Sequence, residues 1–173
     1  MSKKKKFAYR AILFSLITAS AASNSEELAG LSVLEKPFKV AVVKDAPGSD
    51  AIASGRLDAG AVELNAALPE QSRNYEKSMG LCALHIKTQE YLTAKTACSE
   101  AISAISGLNE KNRTSQYLSA MAYSNRAIVR YFLDDTLGAF TDINKALELS
   151  DDEIVMDNLT RLNVAHLRSQ VTP

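Results

Sequence analysis

Three segments of this chain share one spacing: a small residue, an apolar residue four positions on, and Ala three positions after that. Gly60-x3-Leu64-x2-Ala67 and Ala94-x3-Cys98-x2-Ala101 stand 34 residues apart, and Ala139-x3-Ile143-x2-Ala146 follows 45 later, which is 34 with 11 inserted. The polar stretch from Gly107 to Thr114 accounts for the insertion. A period of this length points to stacked helical units, because each unit can bury its apolar face only against the next. The last two segments each have a partner helix upstream, with Leu81 placed 13 residues before Ala94 and Arg126 placed 13 before Ala139. Two helices packed antiparallel through a short turn must keep their contact residues at such fixed separations. The turns are polar, Thr88-Gln89-Glu90-Tyr91 and Leu133-Asp134-Asp135-Thr136. Ala127 and Ala139 allow close approach of the backbones, and Ile143 fills the space between neighbouring pairs.

On these residues the chain resembles the tetratricopeptide repeat family. Tyr123-Ser124-Asn125-Arg126-Ala127 through Asp142-Ile143-Asn144-Lys145-Ala146-Leu147-Glu148-Leu149 looks like one repeat, and Leu81 through Ile102 like another. Ala51 to Ala67, turning at Gly55-Arg56-Leu57-Asp58, is similar to the second half of a third. The resemblance covers residues 49–153 and has departures. Arg126 and Arg130 stand where the family usually has a leucine and an aromatic, Ser78 and His85 replace two aromatics, and Leu149-Ser150-Asp151-Asp152 stands in for the closing proline. The implied fold is all-α: a short right-handed α-solenoid of antiparallel helix pairs, two full repeats and one partial. Around it, Glu153 to Arg168 reads as a capping helix from the period of Val155, Leu159 and Leu162, with Asp151 or Asp152 as its N-cap. Phe38-Lys39-Val40-Ala41-Val42-Val43, bounded by Pro37 and by Pro47-Gly48, reads as one strand or extended segment. The expected division is 1–21 signal peptide, 22–48 extended segment, 49–168 helical domain and 169–173 tail.

The N-terminus carries the expectation of export. Lys3 to Lys6 and Arg10 form a basic region, Ala11 to Ile17 an apolar core, and Ala19-Ser20-Ala21 a small-x-small cleavage pattern. The apolar run of ~12 residues is too short to span the hydrocarbon as a helix. Cleavage after Ala21 is expected, with an uncleaved anchor as the alternative, and either way the domain is exported. A periplasmic or secreted protein of bacterial type follows, off the membrane once the signal is cleaved. The formal net charge of zero averages two parts, because the first 21 residues hold five bases and no acid, leaving 15 bases against 20 acids. This mildly acidic body argues against nucleic acid, whose phosphates need clustered Lys and Arg.

Cys82 and Cys98 lie on facing helices of one repeat. In an oxidising compartment they can close a disulfide around a loop of roughly 15 residues, and otherwise they are two small buried hydrophobes. With His85 they fall short of a zinc ligand set, and no metal or cofactor is expected. Arg126 and Arg130 sit one turn apart on an apolar helix. Their partner is either Asp142 on the facing helix, as an ion pair, or an anionic group of a ligand. No nucleophile elbow, phosphate-binding glycine loop or paired-His motif is present, so no enzymatic activity is expected. Asn112-Arg113-Thr114 and Asn158-Leu159-Thr160 match the glycosylation triplet, which matters only in a eukaryote.

The resemblance further implies a concave surface lined by Met79, Ala83, Ile86 and Lys87, then by Ser124, Ile128, Tyr131 and Phe132. Such an apolar strip suits an extended or helical peptide, and the expected role is a scaffold or adaptor for a protein or peptide. The alternative is a self-associating structural protein of the cell envelope, a homo-oligomer whose groove is covered by the N-terminal segment. Some members hold a chaperone's terminal carboxylate with Lys, Asn and Arg. Here Glu76, Gly80 and Met121 occupy those places and only Asn125 fits, so that role is not expected.

Overall fold

The computed structural model describes residues 37–67, 73–108 and 112–171. The expected signal peptide at 1–21, residues 22–36 of the expected extended segment at 22–48, and the last two residues lie outside them. The described residues form seven helices and no strand. They are α1 (Ser49–Ala53), α2 (Leu57–Ala66), α3 (Asn74–Lys87), α4 (Tyr91–Ser106), α5 (Arg113–Phe132), α6 (Thr136–Leu149) and α7 (Glu153–Val171). The all-α class holds, and α7 runs on to Val171, into the expected tail.

Three of the connections are built alike. Each ends on a residue in the left-handed region, Gly55 (φ 81), Gln89 (φ 62) and Asp134 (φ 59). The next amide then bonds back five residues: Arg56 to the carbonyl of Ala51 (2.8 Å), Glu90 to that of His85 (2.9 Å), and Asp135 to that of Arg130 (2.9 Å). These bonds satisfy carbonyls that a helix end leaves open. The three left-handed residues recur at the same 34 and 45 intervals as the small residues of the sequence. Each turn folds one helix onto the next, so α1 packs on α2, α3 on α4 and α5 on α6. Further packing of α2 on α3, α4 on α5 and α7 on both α5 and α6 joins the pairs.

Side-chain caps fix where the later helices begin. Asn112 accepts from the Thr114 amide (2.9 Å), Asp135 from Gly138 (3.0 Å) and Asp152 from Ile154 (2.9 Å). Buried small residues mark the close helix contacts: Gly60, Ala94, Ala101, Ala127, Ala139 and Ala146. Gly60 has no room for a side chain, since a Cβ there would lie 2.6 Å from Ile52 Cγ1.

Residues 37–43 run as extended backbone without joining any strand. The β-rich composition expected one strand or extended segment, and the partner explains which it is. The segment pairs with side chains of helices instead of another backbone. Val40 and Val42 pack on the cluster of Ile52, Leu64, Ala83 and Leu84, while Phe38 packs beside Ile86 and Ile128.

Candidate functional site

The surface expected to form an open strip is where this extended segment lies. Asn125 on α5 and Asn158 on α7 are both fully buried. The Ala41 amide donates to Asn125 Oδ1 (2.9 Å), and Asn125 Nδ2 donates to the Ala41 carbonyl (2.8 Å). Two residues earlier the arrangement repeats. The Lys39 amide donates to Asn158 Oδ1 (2.9 Å), and Asn158 Nδ2 donates to the Lys39 carbonyl (2.8 Å). Alternate residues of an extended chain present their backbone groups on one edge, so two carboxamides suffice to hold it. Each carboxamide thus imitates the edge of a neighbouring strand. Asn158 Nδ2 also donates to Ser124 Oγ (3.0 Å), which orients it.

Side chains fasten the segment further. Phe38 meets Tyr131 at 5.6 Å and Phe132 at 5.7 Å between ring centroids, and Phe132 stacks on Tyr91 at 4.6 Å. Lys39 Nζ reaches Glu153 (2.7 Å) and Asp157 (2.6 Å), one turn apart on α7. The hydrogen bond to Asp157, then that to Glu153, holds the Lys39 ammonium above its ordinary range.

The structure therefore divides the residues that the family resemblance assigned to the groove. Met79, Ala83, Ser124 and Ile128 have no exposed surface. Ile86 is buried, Lys87 and Tyr131 are half-buried, and Phe132 is 43% exposed. Ile86, Lys87, Ile128, Tyr131 and Phe132 still line a cavity of about 510 Å³ beside Pro37 and Phe38, which Tyr91, Gln89 and Arg161 help to close.

The other singled-out residues have local partners. Cys82 and Cys98 form a disulfide across α3 and α4, with Cα atoms 4.8 Å apart. Arg126 grips Asp142 with two bonds, Nε to Oδ2 (2.7 Å) and Nη2 to Oδ1 (2.8 Å), and donates to Ser99 (3.2 Å). Arg130 Nε lies 3.2 Å from the same carboxylate, and its Nη1 donates to the Gly138 carbonyl (3.1 Å). Asp142 is only 3% exposed, and its hydrogen bonds raise the Arg126 pKa above the ordinary value against the opposing effect of burial. Both guanidinium groups are directed at this carboxylate, which occupies the place a ligand's anion would take. His85 Nδ1 lies 2.9 Å from Glu90 Oε2. Among the described residues no three His, Cys, Asp or Glu side chains come together as a metal would need, and no helix is long and apolar enough to cross a membrane.

Against family models, curated proteins and solved structures alike, the chain finds no match. What the site can do must therefore be read from its own geometry. The decisive residues, Asn125 and Asn158, were not among the expected site residues. Sequence reading met Asn158 only as a glycosylation triplet, although the side chain is fully buried and both its amide bonds are made within the protein. The one available signal was an Asn placed on a helix face that is otherwise apolar.

Proposed function

We propose that this chain is an exported scaffold of the tetratricopeptide type that binds an extended segment of a partner protein or peptide along its concave face. In this reading the helices form a short right-handed solenoid of two full repeats and one partial, closed by α7. The recurrence of one turn geometry at 34 and 45 residues supports it. Export is supported by the basic, apolar and small-residue pattern of residues 1–21 and by the disulfide, a bond that oxidising compartments favour.

The observation that carries the binding role is the pair of buried carboxamides holding an extended backbone by its own N–H and C=O groups. Such contacts read conformation and leave sequence to the neighbouring pockets, as in strand addition to a sheet edge. A second reading has its own support. Residues 37–43 pack over part of the expected groove, with Val40 and Val42 in the cluster of Ala83 and with Ala41 in that of Met79, which fits a groove filled from within and a chain that associates with itself.

Affinity capture of the cross-linked exported protein from its host separates the two, using a variant with Tyr131→Glu and Phe132→Glu. Both residues line the open cavity, whereas Ile128 is fully buried and a charge there would disrupt the core. A partner lost with the variant while helical circular dichroism is kept supports the adaptor. An unchanged partner set, with a concentration-dependent mass, supports self-association.

A further inference from the structure

The cavity beside Phe38 has a chemistry that the packing of the helices does not use. Its aromatic wall is Tyr91, Tyr131 and Phe132, with Ile86 and Ile128 as its aliphatic side. The described residues lining it include two bases, Lys87 and Arg161, and no acid. The Arg161 side chain is only 8% exposed, yet its Nη1 has no hydrogen-bond partner. Among the described residues its paired carboxylate is Asp157, 3.7 Å from Nη2 and also held by Lys39 at 2.6 Å. A buried guanidinium needs both a counter-charge and acceptors, and this one is short of acceptors at the wall of a cavity. The volume of about 510 Å³ lies in the range of ligand sites.

We propose that this cavity receives an acidic residue and an adjoining aromatic side chain from an extended partner segment, and this rests on reading the groove as a peptide site. The ring packs among Tyr91, Tyr131 and Phe132, and the carboxylate accepts from Arg161, with Lys87 adding positive potential. Arg161 turns toward the carboxylate on binding, which supplies the acceptors its buried donor lacks. A peptide is favoured as the source because the cavity sets an aromatic wall beside two bases, so the adjoining ring and carboxylate of one partner segment can enter it together while residues 37–43 keep their place.

The test uses the full-length chain with methyl-labelled isoleucine and three probes: acetyl-Phe-Glu-amide, acetyl-Phe-Gln-amide and 4-phenylbutyrate. The Glu peptide is expected to shift the Ile86 and Ile128 methyl signals saturably and to bind about tenfold more tightly than the Gln peptide, the difference a charge-assisted bond confers. Arg161→Gln should erase that preference while keeping the weaker apolar binding, and Arg161→Lys should restore part of it. If Arg161→Gln loses its helical signal, Lys87→Gln in the folded protein should still narrow the preference. Equal binding of the two peptides, or shifts away from Ile86 and Ile128, would overturn the proposal. Binding of 4-phenylbutyrate but neither peptide would assign the cavity to a small free acid instead. Glu35 stands two residues before Pro37 in the sequence, and a Glu35→Gln chain that binds the Glu peptide about tenfold better would overturn the proposal by making the protein's own leading segment the occupant. If the acid preference fails while capture still depends on Tyr131 and Phe132, the groove reading survives and only the ligand assignment falls.

Discussion

Asn125 meets both hydrogen-bonding backbone groups of a buried residue. That residue, Ala41, is only 4% exposed, so its N–H and C=O depend on the carboxamide for their bonds. Truncation to Ala should cost about 1–3 kcal/mol for each group left unpaired, read as a lowered urea midpoint. Asn158→Ala should cost less at the segment, because the Lys39 backbone is only part-buried and water can reach it. Equal losses would show that the packing of Phe38 and Val40, and not the carboxamides, anchors the segment. Asp142 carries a different burden, one buried carboxylate between two guanidinium groups. Asp142→Ala leaves Arg126 without its counter-charge and Arg130 with only the more distant Asp135 at 3.7 Å, and should destabilise by about 3–5 kcal/mol, as for other broken buried pairs. Arg126→Leu together with Asp142→Leu should recover part of that loss, since an apolar pair carries no desolvation cost.

Between elements, two fasteners of unlike character hold the structure. The disulfide joins α3 to α4 around a loop that chain-entropy arguments value at about 3 kcal/mol. Reduction should lower the urea midpoint accordingly and leave the helical content intact, because Ala94, Ala97 and Ile86 pack around the bond without needing it. The second fastener ties the extended segment to α7 through Lys39, Glu153 and Asp157. Glu153 is well exposed, so salt should weaken this contact. Because the folded Lys39 pKa is raised, its contribution is complete below 10.5 and disappears as pH climbs through the raised value. Comparison with Lys39→Met should therefore show a stability difference at neutral pH that closes at strongly alkaline pH. A difference that persists there would assign the effect to the lysine's methylene stem.

Across the whole molecule, burial is uneven, and opening should follow it. From His166 to Gln170 the end of α7 has no buried residue, whereas α3 to α6 enclose most of the fully buried side chains. Hydrogen exchange should release the end of α7 first and the amides of α5 last. The amides of Lys39 and Ala41 are informative because their bonds cross 119 and 84 residues of sequence. If the segment is a fixed part of the fold, they should exchange with α5. Much faster exchange would mean that the segment leaves the groove while the helices stay folded, as a partner strand would require.

The helical period was legible because it arises from local rules. A helix pair closed by a short turn repeats its small residues and its turn at fixed intervals, and Gly60, Ala94 and Ala139 are buried at the spacing read from the sequence. Cys82 with Cys98 and Arg126 with Asp142 were each visible as one of two alternatives, because the partners lie only 16 residues apart on facing helices. The groove's contents were not. Residues 38–43 read as a strand or extended segment without a visible partner, Asn125 as the one residue fitting a carboxylate clamp, and Asn158 as part of a glycosylation triplet. Nothing in a linear chain pairs a backbone amide with a side chain 119 residues distant. Only the tertiary structure, by bringing α5 and α7 to one edge of the segment, turned two carboxamides into a substitute strand.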